Sequence, residues 1–294
     1  MIKRVADNLS LLTTSIASLL KVMLLSKRVE SSRPVDKSRR VIVLGNGPSL
    51  RTTIADHRDF LMTHDRIAVN FAANAPEFFE LQPTGYVLAD PLFFDGISTD
   101  PNVARLWDNI RSTRRPMTLF LPANRKEFVT EMRLSDIPNL TISYYNLTPV
   151  EGCKSLSHKL FHYGLGMPRP RNVLIPSIML AIREGYGTIY IAGADHSWTR
   201  TLWVDENNRV VSIQPHFDQD NEEEKKRVAT EYHNYPLHQI LQSLYIAFRS
   251  YFDIADYAKT KGINILNITP DSFIDAIPPL RHKKTCPASR RLIS

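Results

Sequence analysis

The sequence predicts an α/β protein built on a doubly wound, mostly parallel sheet, and three observations carry that reading. Short β-branched runs recur along the chain, beginning with Val41-Ile42-Val43-Leu44, as buried parallel strands do. Helix-length stretches separate most of them, the alternation that winds a sheet in both directions. The first run ends in a glycine-rich turn, Gly45-Asn46-Gly47-Pro48-Ser49, followed by a helical pattern.

Taken in order, the expected strands are 41–44, 67–70, 86–89, 117–121, 140–145, 188–192 and 264–267. The clearest expected helices are 49–62, 101–112, 124–133 and 176–185. Residues 197–250 break the alternation. They suggest a hairpin around Val204–Arg209 and then a charged helix from about Asn221, together a lid over the strand ends. The domain expectation is an amphipathic helix and flexible linker (1–39), an α/β body (40–280, with the lid at about 197–250) and a basic tail (281–294).

The chain has 294 residues, 43% of them hydrophobic, enough for one large domain with a sizeable core. Its two cysteines, Cys153 and Cys286, stand far apart, so neither a disulfide framework nor a thiolate metal site is expected. No H-E-x-x-H zinc pattern and no G-x-S-x-G nucleophile turn occurs. No cofactor is expected.

The net charge of +7 is unevenly placed. Residues 1–40 hold nine Lys/Arg against three acids, and residues 281–294 hold five against none. The stretch between them is therefore at −4. Such a body is a poor nucleic-acid groove. Basic ends suit an anionic membrane surface better.

The segment Leu9–Leu25 is amphipathic at helical spacing, with Leu12, Ile16, Leu19, Leu20, Met23 and Leu24 on one face and Ser10, Thr14, Ser18 and Lys21 on the other. Lys21 and the hydroxyls make it a poor spanning helix. The expectation is a cytoplasmic protein, peripheral at the inner face of a membrane, with residues 30–40 as a flexible tether.

In a doubly wound sheet, ligands bind beyond the carboxyl ends of the strands. The residues delivered there are Gly45, Asn46, Gly47 and Ser49 after the first strand, Asn70 after the second, Asp90 after the third, and Asp195-His196 after the sixth. Glycines let backbone approach a ligand, and amides at a helix start can hold an anion. The turn matches neither G-x-G-x-x-G nor the Walker A pattern. A tight turn with no ligand is the alternative, but four polar groups at four strand ends favour a site.

These residues resemble the bacterial CMP-sialic-acid-dependent sialyltransferases of lipooligosaccharide and the wider MptE-like nucleotide-binding group. The matching pieces are VIVLGNGPSL (41–50), AVNF (68–71), ADPLFF (89–94), GYGTIYIAGADHSW (185–198) and LNITPDS (266–272). The resemblance implies a Rossmann-like, glycosyltransferase-A-variant fold and transfer of an acidic sugar, sialic-acid-like or Kdo-like, from a CMP-linked donor. The implied acceptor is a cell-envelope glycan or glycolipid. It also implies that Asn46, Ser49 and Asn70 contact the donor, that Asp195 matches the family's Gly-x-Asp segment, and that the general base is a lid histidine, here His216 or His233.

Three departures stand out. Ile175-Pro176-Ser177 replaces a Thr-Ser-Gly turn, leaving Ser177 as the matching hydroxyl; Ser197 stands where the family has a phosphate-binding Tyr; and Asp90 replaces an Asn. The last keeps open a Mg²⁺-dependent pyrophosphokinase using Asp90 and Asp195. A non-catalytic nucleotide- or glycan-binding protein is the third reading. His238, in an apolar helical stretch, is expected to be packed, and His196 is a further candidate base.

Overall fold

The structure, a computed structural model, describes residues 2–212 and 235–280. The chain opens with α1 (Ile2–Leu25), β1 (Asp36–Leu44), α2 (Ser49–Met62), β2 (Asp65–Val69), α3 (Pro76–Leu81) and β3 (Gly85–Val87). It continues through α4 (Leu92–Asp95), α5 (Pro101–Arg111), β4 (Met117–Pro122), α6 (Lys126–Glu131), β5 (Leu140–Tyr145), α7 (Lys154–His162) and α8 (Leu174–Arg183). It closes with β6 (Tyr186–Ala192), the hairpin β7 (Leu202–Val204) and β8 (Val210–Ser212), a helix α9 (Leu237–Thr260) and β9 (Asn264–Asn267).

Seven strands pair in parallel in the order β5-β4-β3-β2-β1-β6-β9. The fold is thus an α/β, Rossmann-like, doubly wound sheet, with all seven expected strands in it. The chain steps outward from β1 to β5, then returns to place β6 on the other side of β1. That reversal opens a crevice above β1, where such sheets bind ligands.

β1 sits at the centre because its apolar run is inaccessible on both faces, Val41 to Val43 at 0% exposure. One face packs α8 with Tyr251, Ile254 and Tyr257 of α9. The other carries Val103, Leu106, Trp107 and Ile110 of α5 and Leu50, Ile54 and Leu61 of α2. Every residue of α8 is buried, so it is an all-round apolar core helix rather than an amphipathic one.

Two expectations are corrected. Residues 26–35 are not a free tether. Ser26 Oγ bonds Thr148 Oγ1 at 2.8 Å, Asn146 exchanges two hydrogen bonds with the Lys27 backbone, and Ser32 and Arg33 donate to the His162 and Arg183 carbonyls. β1 begins at Asp36, inside the expected linker. Helix α9 runs unbroken from Leu237 to Thr260: its Ile240 and Leu244 pack on Val210 of the hairpin, while Ile254 and Tyr257 cover the sheet. The hairpin lies where expected. The charged stretch from Asn221 lies outside the described residues.

Candidate active site

A cavity of about 600 Å³ lies over the reversal point of the sheet, within the size range of small-molecule sites. Asn46 and Gly47 reach it from β1, Asn70 from β2, Asp90 from β3, and Asp195 and His196 from β6. The structure therefore brings the four strand-end groups Asn46, Asn70, Asp90 and Asp195 to one cavity. Its opposite wall is the turn Pro170–Leu174 together with Trp198, Arg200 and Thr201.

The glycine-rich turn is braced against β6. Gly45 and Gly47 donate their amides to the Ala192 and Gly193 carbonyls, both at 2.8 Å. The Asp195 carboxylate accepts from the Ser49 hydroxyl at 2.8 Å and from the Ser49 amide at 3.3 Å. It thus sits at the N-terminus of α2, where a negative charge is favoured. A Cβ on Gly47 would lie 1.9 Å from Asp195 Oδ2, so this brace requires glycine. The amides of Gly45, Gly47, Ser49 and Leu50 all donate within the protein. Hence the open amide cradle expected of this turn is not what the structure holds: a carboxylate of the chain already occupies the helix end. Gly45 and Ser49 do not line the cavity.

Asn46 differs from its neighbours. It lines the cavity, and its side-chain Oδ1 is buried with no hydrogen-bond partner. Asn70 lines the cavity from a left-handed backbone (φ 50°), a conformation Asn tolerates better than most residues. Its carbonyl accepts from the buried Tyr86 hydroxyl. Asp90 stands exposed at the rim, with Oδ1 capping the next turn through the Leu92 amide at 2.9 Å. Ser177 is fully buried in α8, bonded to the Val173 carbonyl, and does not reach the cavity.

Asn172 was not anticipated. Its Oδ1 accepts the Leu174 and Ile175 amides at 3.0 and 3.3 Å, capping α8, and the Tyr251 hydroxyl at 3.0 Å. The capping bonds fix which end of the amide is oxygen, so Nδ2 is the remaining end. Nδ2 is buried and unpartnered at the cavity wall. A cap-type Asn ahead of an apolar run is a readable helix-start signal. Placing the helix start at 176, two residues late, hid it. Arg171 beside it also lines the cavity, exposed and without a carboxylate partner among the described residues.

This network also sets the state of His196. Tyr251 has one hydroxyl proton, and Asn172 Oδ1 can only accept it. The 2.6 Å contact between Tyr251 Oη and His196 Nε2 must then be donated by Nε2–H, leaving the lone pair on Nδ1. His196 is buried against Trp198 (ring centroids 4.1 Å apart) and Tyr251. Desolvation pushes its pKa down to about 3, so it is neutral at physiological pH. It too has a left-handed backbone, φ 51°. Asn70 and His196 are the two cavity residues among the six described non-glycine residues with positive φ.

His216 and His233 lie outside the described residues. His238, expected to be packed, is exposed on the first turn of α9: the buried face of that turn is Ile240. Among the described residues no group of three or more His, Cys, Asp or Glu is arranged to hold a metal ion.

No protein-family model and no curated protein matches this chain. In fold it is similar to the MAf glycosyltransferase from Magnetospirillum magneticum AMB-1, at TM-score 0.50 and 11% identity, over 88% of this chain and 37% of that one. The chain thus spans little more than a third of that protein. A variant of the sialyltransferase CST-II in complex with CMP aligns at TM-score 0.35 and 13% identity, over 82% of this chain and 86% of that one. At these identities the first likeness is one of fold, and the second is too distant to add to it.

Proposed function

We propose that this protein is a glycosyltransferase that moves an acidic sugar from a CMP-activated donor to a cell-envelope glycan or glycolipid, at the cytoplasmic face of a membrane. The observation that carries the reading is a pair of asparagines lining one cavity, Asn46 and Asn172, each with a buried amide atom, Oδ1 and Nδ2, that has no hydrogen-bond partner. Leaving such groups unpaired costs about 1–3 kcal/mol each, so a ligand toward which the two side chains turn to pair regains that energy. A nucleotide offers donors and acceptors on its base and sugar. Arg171 and Arg200, both at the cavity, suit the negative charge of a donor phosphate or sugar carboxylate. The sequence resemblance to CMP-sialic-acid-dependent enzymes supplies the donor class, and a fold shared with a protein described as a glycosyltransferase is in keeping with it.

In the proposed step the acceptor hydroxyl oxygen attacks the anomeric carbon. The bond from that carbon to the phosphate oxygen breaks, and CMP leaves with the electron pair. The hydroxyl proton passes to a general base. By resemblance that base is His216 or His233, which follow the hairpin β7–β8; Thr201, which precedes it, lines the cavity. Asn70 and Asp90 are assigned to the donor, Asp90 through its uncapped oxygen. Gly45, Gly47, Ser49 and Asp195 hold the turn that presents Asn46.

A metal-dependent pyrophosphokinase would instead call on Asp195, whose oxygens accept from Ser49, as a ligand, and metal dependence separates the two readings. The test is a panel of CMP-, UDP- and GDP-linked sugars together with ATP, with Mg²⁺ or with EDTA, read as nucleotide release in the presence of envelope glycolipid. CMP release in EDTA supports the proposal. Turnover only of ATP with Mg²⁺ overturns it.

A further inference from the structure

Helix α1 is seated the wrong way round for a helix of a water-soluble body. Its inward face is polar: Ser15 and Ser18 are buried at 6% and 1% exposure. Ser18 Oγ donates to the Glu151 carbonyl at 2.8 Å and accepts the Glu151 amide at 2.9 Å, while Ser15 Oγ accepts the Cys153 amide at 2.9 Å. Between them lies Gly152, with φ at +111°, where a Cβ would stand 2.4 Å from Ser15 Oγ and 2.8 Å from its Cα. The helix backbone therefore rests directly on a glycine, a seat made for close approach. Below this, Val22 packs on the main core and Ser26 ties the helix end to Thr148 and Leu165.

The outward face is apolar. Leu9, Leu12, Ile16, Leu20, Met23 and Leu24 are all 49–78% exposed. An amphipathic helix on a soluble domain buries this face and hydrates the other; here the assignment is reversed. The segment Asn8–Leu25 has a mean hydropathy of 1.5, enough by composition to cross a membrane. Its contacts with residues 148–153 and 165 hold it flat against the body instead.

We propose that α1 is an in-plane membrane anchor, docked rigidly on the body through its hydroxyl face, with its leucine face covered by an anionic bilayer surface. Charge decides the occupant. Lys27 and Arg28 are exposed at the end of the stripe, and residues 1–40 carry nine basic side chains against three acids. Anionic headgroups neutralise these charges where apolar side chains enter the acyl boundary. A second copy laid leucine face to leucine face would bring the same cations together. The two stretches of this chain outside the described residues that follow α1, 213–234 and 281–294, are rich in charge and poor in aliphatic residues, so neither is suited to cover the stripe.

The docking also orients the site. The end of α1 meets Asn146 and Thr148, which flank Leu147 in the cavity wall. The anchor is thereby fixed to a segment that lines the cavity and is not joined to it by a free tether. This inference concerns what covers α1 and stands whether or not the transfer reaction does.

The test uses the full-length chain and sedimentation with phosphatidylcholine vesicles, with and without phosphatidylserine. Wild type is expected to bind the anionic vesicles, and Leu20→Glu combined with Leu24→Glu to weaken binding at least about tenfold. Because both side chains are exposed, the melting temperature should not move. In the bound state, Leu12→Trp and Met23→Trp should be quenched equally by shallowly brominated lipid, as a helix in the plane requires. Failure of wild type to bind, binding unaffected by the double variant, or quenching at different depths overturns the proposal. So does a concentration-dependent dimer that the same variant disperses, since a second copy would then be the occupant.

Discussion

The two walls of the cavity use polar groups in opposite ways. On the β1–β6 wall nearly every group is spent inside the protein: the Gly45, Gly47 and Ser49 amides, the Ser49 hydroxyl and both Asp195 oxygens are paired with one another or with the next strand's turn. On the Pro170–Leu174 wall the groups keep free valences: Asn172 caps α8 with its oxygen and leaves Nδ2 over, and Arg171 has no carboxylate partner among the described residues. Asn46 is the one side chain of the first wall that behaves like the second. The lesson is that the conspicuous motif is a brace, and the unpaired polar atoms beside it belong to one asparagine within it and to a turn with no motif at all.

The sharpest way to break this contrast is Gly47→Ala. A methyl 1.9 Å from Asp195 Oδ2 must push the two strand-end turns apart, and overpacking of this kind costs about 1–3 kcal/mol or more. Urea unfolding should show that loss directly. An unchanged midpoint would mean the brace is slack.

A comparable effect is expected from pH, through His196. Its folded pKa of about 3 lies below the ordinary value of 6.5, so the unfolded chain binds the extra proton first as pH falls. The stability that neutral His196 contributes is complete above about pH 6.5 and drains away toward pH 3, by up to roughly 3 kcal/mol over about pH 7 to pH 4. His196→Asn suits the left-handed backbone and removes the titrating group. It should flatten the acid limb of a plot of unfolding free energy against pH; an identical limb in the variant assigns the loss elsewhere.

Smaller again is Ser49→Ala, which deletes one charge-assisted hydrogen bond to Asp195. It should lower stability by about 1–2 kcal/mol in the same denaturation experiment while leaving nucleotide affinity within about twofold. Asn46→Ala should not lower stability at all. Removing an unpaired buried oxygen relieves its desolvation penalty, up to about 1–3 kcal/mol less the packing lost with the side chain, yet CMP affinity should fall at least about tenfold.

Much of this was legible from residues alone. Strands of β-branched residues buried on both faces announce themselves, as in Val41–Leu44 and Thr188–Ala192, and so does a long helix such as Ser49–Met62. Short helices did not: Lys154–His162 buries only Ser157, Leu160 and Phe161, too little pattern to read. The strand-end residues Asn46, Asn70, Asp90 and Asp195 were placed by topology, because the sheet order fixes where strands finish. Their partners were not, because the Ser49–Asp195 contact joins residues 146 positions apart, and no local pattern encodes it. Arg171 and Asn172 were missed for the same reason. Their turn precedes α8, and its position over β1 follows from packing rather than from spacing. The inverted seating of α1 was equally hidden, since an amphipathic sequence states that two faces differ and not which one turns inward.

The most direct test of the central claim is a calorimetric titration of CMP into wild type, Asn46→Ala and Ser49→Ala, without added metal. The account predicts that wild type and Ser49→Ala bind alike while Asn46→Ala loses most of its affinity. Loss in Ser49→Ala with Asn46→Ala unaffected would contradict it, returning the glycine-rich turn to the role of a phosphate cradle and leaving the cavity without its reader.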